Sequence, residues 1–143
     1  MFECVTKALI LDKEPVGDYD GLLTLYTEDF GKVSVKAKSI RKITSKLSAH
    51  TEPGTLSQLR LVGKNPFQKV KGSFWLVDGL MEKKLFSDFL FLEVIKTLTV
   101  EFHADRDLWR FLLEGKSDQA ALFTILGFHP RDEMILGGEA TQS

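Results

Sequence analysis

Six cations fall between residues 32 and 46: Lys32, Lys36, Lys38, Arg41, Lys42 and Lys46. Residues 31–51 contain no Asp or Glu. Ammonium and guanidinium groups at this density, with no carboxylate to neutralise them, suit a polyanion. The chemistry they offer is pairing with phosphate oxygens and release of counterions, with no bond made or broken. The formal net charge of −1 conceals the bias. Residues 1–72 hold 12 Lys and Arg against 8 Asp and Glu, whereas residues 73–143 hold 7 against 12, so the two halves differ in kind. Charge alone leaves a solvated basic loop open as the alternative, because runs of like charge are common on surfaces.

Other chemistry is thinly represented. The candidate metal ligands Cys4, His50, His103 and His129 are scattered, with none within four residues of another, which is not the spacing of a metal site. Glu101, His103 and Asp105 alternate by two and would align only on a strand; in a helical region they read as helix-end residues. There is no Gly-x-Ser-x-Gly, no phosphate-binding loop and no dinucleotide glycine motif. The expectation is a protein that is not an enzyme, with no catalytic residue, cofactor or metal. The single cysteine cannot form an internal disulfide, which fits a reducing compartment. No apolar run reaches the length of a membrane span, and the first residues lack the basic start and apolar stretch of a signal peptide. A soluble cytoplasmic protein is expected, and 43% apolar with 27% charged residues is a globular composition.

The elements that must carry the basic residues read as short strands. Val5–Asp12 is apolar and β-rich, and Leu22–Thr27 follows the turn-forming stretch 15–21. Glu28-Asp29-Phe30-Gly31 is suited to closing a hairpin. The next strand, Lys32–Lys38, alternates: Val33, Val35 and Ala37 share one face, and Lys32, Ser34, Lys36 and Lys38 the other. The inward residues should fill a core and the lysines should point out, next to the Arg41–Lys46 loop. Thr55–Val62 and Phe67–Val77 are expected as two further strands, separated by Gly63-Lys64-Asn65-Pro66. Five short strands with a long third connection suit a small closed barrel, which leaves no edge exposed. An SH3-like barrel or a small open sheet would give a similar pattern. Tyr26 and Phe30 flank the hairpin and offer rings for base stacking, although packing is the commoner use of such residues.

From residue 85 the period changes to three and four. Phe86, Phe89, Leu90, Val94, Ile95, Leu98 and Phe102 predict a first helix with Ser87 as its cap. Asp105 predicts the start of a second, with Leu108, Trp109, Phe111 and Leu112, stopped by Gly115. Ser117 predicts the start of a third, with Ala121, Leu122, Ile125 and Leu126, ending at Gly127. The expected fold class is α+β, with a mostly β N-terminal half forming a five-stranded barrel and a small three-helix C-terminal segment. The expected organisation is a barrel over residues 1–77, a boundary near Asp78-Gly79, a helical domain over 85–130 and a loose tail over 131–143.

Two passages resemble a known family. Ala8-Leu9-Ile10-Leu11, followed by Asp18-Tyr19-Asp20-Gly21-Leu22-Leu23-Thr24-Leu25-Tyr26-Thr27-Glu28-Asp29-Phe30-Gly31-Lys32-Val33, resembles the opening of the bacterial recombination mediator RecO. Ala37-Lys38-Ser39-Ile40-Arg41-Lys42, continuing through Ser45-Lys46-Leu47 to Pro53, is similar to that family's basic segment. More faintly, Leu122–Pro130 resembles a helix end in the family's helical domain. The chain departs in places: Ser39 stands where glycine is usual, and Asp18 and Gly21 where Glu and Arg are common. Members typically continue past the last motif with more helices and often a four-cysteine zinc element, and this sequence has one cysteine.

The resemblance implies an oligonucleotide-binding (OB) fold for the first half and a role in DNA repair and recombination. It implies binding of single- and double-stranded DNA, annealing of complementary strands, and cooperation with RecR and the single-stranded-DNA-binding protein SSB to load RecA. Lys32, Lys36, Lys38, Arg41, Lys42 and Lys46 are the expected DNA-binding residues. A protein-interaction module and an RNA-binding OB protein are the alternatives that the charge pattern leaves open, since a backbone-reading groove need not distinguish sugars.

Overall fold

The computed structural model describes residues 2–41, 45, 47–63 and 74–127. Five strands, β1 (Phe2–Val16), β2 (Asp20–Thr27), β3 (Gly31–Ala37), β4 (Thr55–Gly63) and β5 (Phe74–Lys84), are followed by three helices, α1 (Phe89–Leu98), α2 (Arg106–Leu113) and α3 (Gln119–Ile125). The strands close into a barrel in the order β1-β2-β3-β5-β4. β1 is long enough to serve two neighbours: Phe2–Leu9 pair with β4 and Ala8–Val16 with β2, with a register shift between Ile10 and Asp12. All pairings are antiparallel except β3 with β5, a parallel seam at Val35↔Phe74 and Lys36↔Trp75. Where β5 does not run beside β3, the chain returning from α1 takes its place. Glu101 bridges to Lys32, and the Phe102 N–H donates to the Lys32 carbonyl at 2.9 Å.

Strand alternation builds two apolar cores. Ala8, Ile10, Leu23, Leu25, Val33, Val35, Ala37, Leu59, Leu61 and Phe74 fill the barrel. The residues of opposite phase, Leu9, Leu11, Tyr26 and Leu56, form an outward patch that Phe86, just before α1, and the helix residues Phe91, Leu92, Ile95, Leu108, Trp109, Leu112 and Leu122 cover. The helical segment is thus a cap on one side of the barrel, held by burial of both surfaces. Phe2, Phe30 and Phe102 pack around Phe74 at the barrel's end, with ring centroids 5.8–6.2 Å apart.

Several boundaries differ from expectation for identifiable reasons. β1 continues through Pro15 and Val16, which pair with Gly21 and Asp20 at the end of the ladder. The fifth strand runs Phe74–Lys84, past its expected end at Val77; expected positions 67–73 lie outside the described residues. Asp78-Gly79 has turn composition but sits inside β5. Asp78 Oδ2 lies 3.8 Å from the Arg60 guanidinium across the sheet. Gly79 stands where a Cβ would come within 2.7 Å of a Leu59 methyl.

The helix caps are Asp88 and Asp118, not Ser87 and Ser117. Asp88 accepts from the N–H groups of Leu90 and Phe91 at 3.0 and 3.2 Å, and a carboxylate there also complements the helix dipole. α1 buries Phe91, Leu92 and Ile95 and leaves Phe89 and Leu90 exposed. It ends at Leu98; Phe102 fits the helical period but turns back with φ +57° to pack on the barrel's aromatic end.

One ion pair ties cap to barrel: Lys96 Nζ lies 2.8 Å from Asp12 Oδ2. The hydrogen bond to Asp12 raises the Lys96 pKa above its ordinary value, with burial opposing. The folded state therefore holds this proton more tightly than the unfolded chain. The stabilisation is complete below the unfolded lysine value of about 10.4 and fades as pH rises through the higher folded value. Lys96→Met should cost about 0.5–1 kcal/mol at neutral pH. Urea midpoints of the two proteins should converge in alkali; a pH-independent difference would assign the effect to packing of the lysine stem.

Candidate nucleic-acid interface

Outward alternation along β3 puts Lys32, Ser34 and Lys36 on one face, and Lys38 continues beyond the strand. The helical cap then divides this row. At the α1 end, Lys32 Nζ donates to the Lys96 carbonyl at 2.7 Å, one of the α1 carbonyls left without a partner within the helix, and Ser34 is buried. At the other end Lys36, Lys38 and Arg41 are exposed. Among the described residues none of these three is paired with a carboxylate, so their charge is available to an incoming anion. Lys42 and Lys46 lie outside the described residues.

The turn after β3 is built to present these groups. Ser39 has φ +59°, and its N–H is held by Asp20 Oδ1 at 2.6 Å. Ile40 is buried against the barrel, so the chain is anchored between Lys38 and Arg41. The Arg41 N–H donates to the Tyr19 carbonyl at 2.8 Å, and its guanidinium to the Gly17 carbonyl at 3.0 Å. The β1–β2 turn and the start of the basic segment therefore form one edge.

Trp75 was not among the candidates that spacing picked out. Its register opposite Lys36 brings the ring out beside that lysine, with Nζ 5.2 Å from the ring centroid. An isolated aromatic in a strand whose start the sequence obscures carries no periodic signal. The rings that flank the hairpin are occupied instead. Tyr26 is buried, stacks on Trp109 at 6.4 Å, and accepts from the Asp105 N–H at 3.0 Å; burial pushes its phenol pKa up. Phe30 packs on Phe2 and Phe74.

Elsewhere Glu101 lies along the β3 edge and Asp105 caps α2, accepting from the N–H groups of Asp107 and Leu108. Among the described residues no three His, Cys, Asp or Glu side chains converge as metal ligands. Burial and the neighbouring Asp29 and Glu3 raise the Cys4 thiol pKa, so it is held protonated. Among the described residues no helix is long and apolar enough to cross a membrane.

A closed five-stranded barrel ordered 1-2-3-5-4, with its third and fifth strands parallel and a basic edge at the end of the third, is an OB-type barrel, here carrying a helical cap. The chain belongs to the RecO family: residues 1–74, just over half of it, match the family described as "Recombination protein O N terminal". It is similar to the DNA repair protein RecO of Thermodesulfovibrio yellowstonii, with 26% identity over 149 residues, covering 87% of this chain and 58% of that protein. Its barrel region is similar to the DNA repair protein RecO of Heliobacterium modesticaldum, 52% identical over 60 residues, covering 41% of this chain and 22% of that protein. It is also 41% identical over 68 residues to that of Dehalococcoides mccartyi, covering 48% of this chain and 27% of that protein. The chain thus spans between about a fifth and three-fifths of the length of these relatives.

Proposed function

We propose that this chain acts in the cytoplasm as a DNA-binding recombination mediator in DNA repair. It binds single- and double-stranded DNA along the basic edge of its barrel and promotes annealing of complementary strands and loading of RecA, with RecR and SSB as partners. The observation that carries the reading is the edge itself: Lys36, Lys38 and Arg41 are exposed together on an OB-type barrel, and Lys42 and Lys46 follow in the chain. Family membership supplies the DNA-repair context.

Phosphate contacts of this kind track the backbone and are blind to sequence, and screening two strands on one basic surface lowers the barrier to their pairing. No bond-making step is required, so the reading is not that of an enzyme. Lys32 enters as the anchor of α1, which frames the edge.

Binding to labelled oligonucleotides at varied salt tests the reading. If about four phosphates of a single strand are engaged, log affinity should fall with log salt at a slope near −3, from about −0.7 per phosphate. Changing Arg41 and Lys42 together to alanine should flatten that slope by roughly one unit and weaken binding alike for unrelated sequences. Because Arg41 also bonds the Gly17 carbonyl, the variant's melting temperature is measured alongside. An unchanged affinity and slope in a folded variant would remove the basic edge from the interface.

A further inference from the structure

We propose that Trp75 is a base-stacking platform that gives the protein a preference for single-stranded over duplex DNA; the inference rests on the DNA-binding reading above. At the seam, Val35 and Phe74 point inward, so their neighbours Lys36 and Trp75 must point out. The ring is 42% exposed, whereas the protein's other tryptophan, Trp109, is 5% exposed in the core under the helices. Leaving so large an apolar surface in water has no benefit for folding, and the ring does not fill the barrel.

Its surroundings select the ligand. In register across the outward face lie Leu22 of β2, Lys36 of β3, Trp75 and Val62 of β4, the first and last half-buried, giving a shallow apolar strip with one cation in it. Lys36 Nζ sits over the indole, held by the negative face of the ring. A nucleotide matches this pairing: its base lies on the ring while its phosphate draws the ammonium off. In sequence, cations also flank both residues of the seam. Lys38 and Arg41 follow Lys36, and Lys64, Lys69 and Lys71 precede Trp75 with no Asp or Glu among residues 64–73. OB barrels bind oligonucleotides on the outward face of β2 and β3 and with the β1–β2 and β4–β5 connections, the region in which this strip lies. An unpaired base presents its flat face to the indole. In a duplex both faces of each internal base are already stacked on neighbours, so the ring adds nothing there.

The experiment uses the full chain, an oligothymidylate and a blunt duplex of equal length, each end-labelled for anisotropy. Tryptophan emission is recorded on unlabelled strands. Trp109 is enclosed by the core, so a change in emission on binding reports Trp75. Oligothymidylate should quench the emission, and Trp75→Phe should abolish that quenching. Trp75→Ala should weaken oligothymidylate binding about 5- to 100-fold, with duplex affinity nearly unchanged and the salt slope preserved, because no phosphate contact is lost. Trp75→Phe should recover part of the affinity, which also guards against misfolding of the alanine variant.

Wild-type affinity for oligothymidylate in Trp75→Ala, with emission unmoved at saturation of the native protein, would overturn the platform while leaving DNA binding intact. Equal losses on single strand and duplex would overturn it as well, and would assign the ring to closure of the seam. If the native protein binds neither DNA, the DNA-binding reading itself falls and the platform with it.

Discussion

Replacing Gly54 with alanine is expected to destabilise the protein by about 3 kcal/mol or more, lowering the melting temperature by roughly 10 °C or more. Gly54 has φ +88°, and a Cβ built there runs into the carbonyl oxygen of Phe86. That atom is backbone and cannot swing aside. Gly54 also joins three parts of the molecule: its N–H donates to the Ile10 carbonyl at 2.8 Å, and its carbonyl accepts from Leu85 and Phe86 at 2.8 and 3.1 Å. Moving the residue to accommodate a methyl would strain all three bonds, at about 0.5–1.5 kcal/mol each, on top of about 1–2 kcal/mol for a side chain in the left-handed region. Gly127 separates the two costs. It has φ +93° with no atom of the described residues near its Cβ position, so Gly127→Ala should cost only about 1 kcal/mol. Equal denaturation midpoints for the two variants would show that the Phe86 clash is relieved without loss.

Trp109→Ala should cost about 3–5 kcal/mol, as truncation of a buried tryptophan does. The ring lies in the core shared by barrel and cap and stacks on Tyr26 with an interplanar angle of 23°. Tyr26→Phe removes only the acceptor of the Asp105 N–H and should cost about 1 kcal/mol. Below its melting point the Trp109→Ala protein should bind DNA with native affinity, since the cavity lies under the helices and away from Lys36 and Arg41. A loss of binding in the folded variant would give the cap a direct part in the interface.

The alternation of β3 made its inward face readable. Val33, Val35 and Ala37 could be assigned to a core with no knowledge of their partners, because period two is a property of the strand itself. The turn of the second helix was readable for the same kind of reason, since Asp105 acts on N–H groups two and three residues away. What sequence could not show was anything decided by a distant neighbour. Lys32 and Lys36 are equivalent in the pattern of β3, yet one is bonded to a helix carbonyl and the other stands in the open, because the cap covers only part of the face. Gly79 follows Asp78 as in a turn, and only the approach of the Leu59 methyl reveals how crowded that position is within the strand. Phe102 kept the helical period by coincidence, its partner being Phe74. Trp75 became visible as part of the candidate site only once the parallel register placed it beside Lys36.

That register has a consequence for how the molecule breathes. β1 is paired along its whole length, with β4 over Phe2–Leu9 and with β2 over Ala8–Val16, and on both sides at its centre, whereas among the described residues β3 meets β5 through only two residue pairs that join distant parts of the chain. Bringing such segments together costs loop-closure entropy that few local contacts offset, so the seam belongs to the least protected part of the barrel. Amide hydrogens there should exchange with solvent earlier than those at the centre of β1. A strand of DNA resting across Lys36 and Trp75 would bridge the two sides, and its binding free energy would be returned as slower exchange at the join. The barrel would then be most rigid when occupied, its ligand acting as the missing rungs of the ladder.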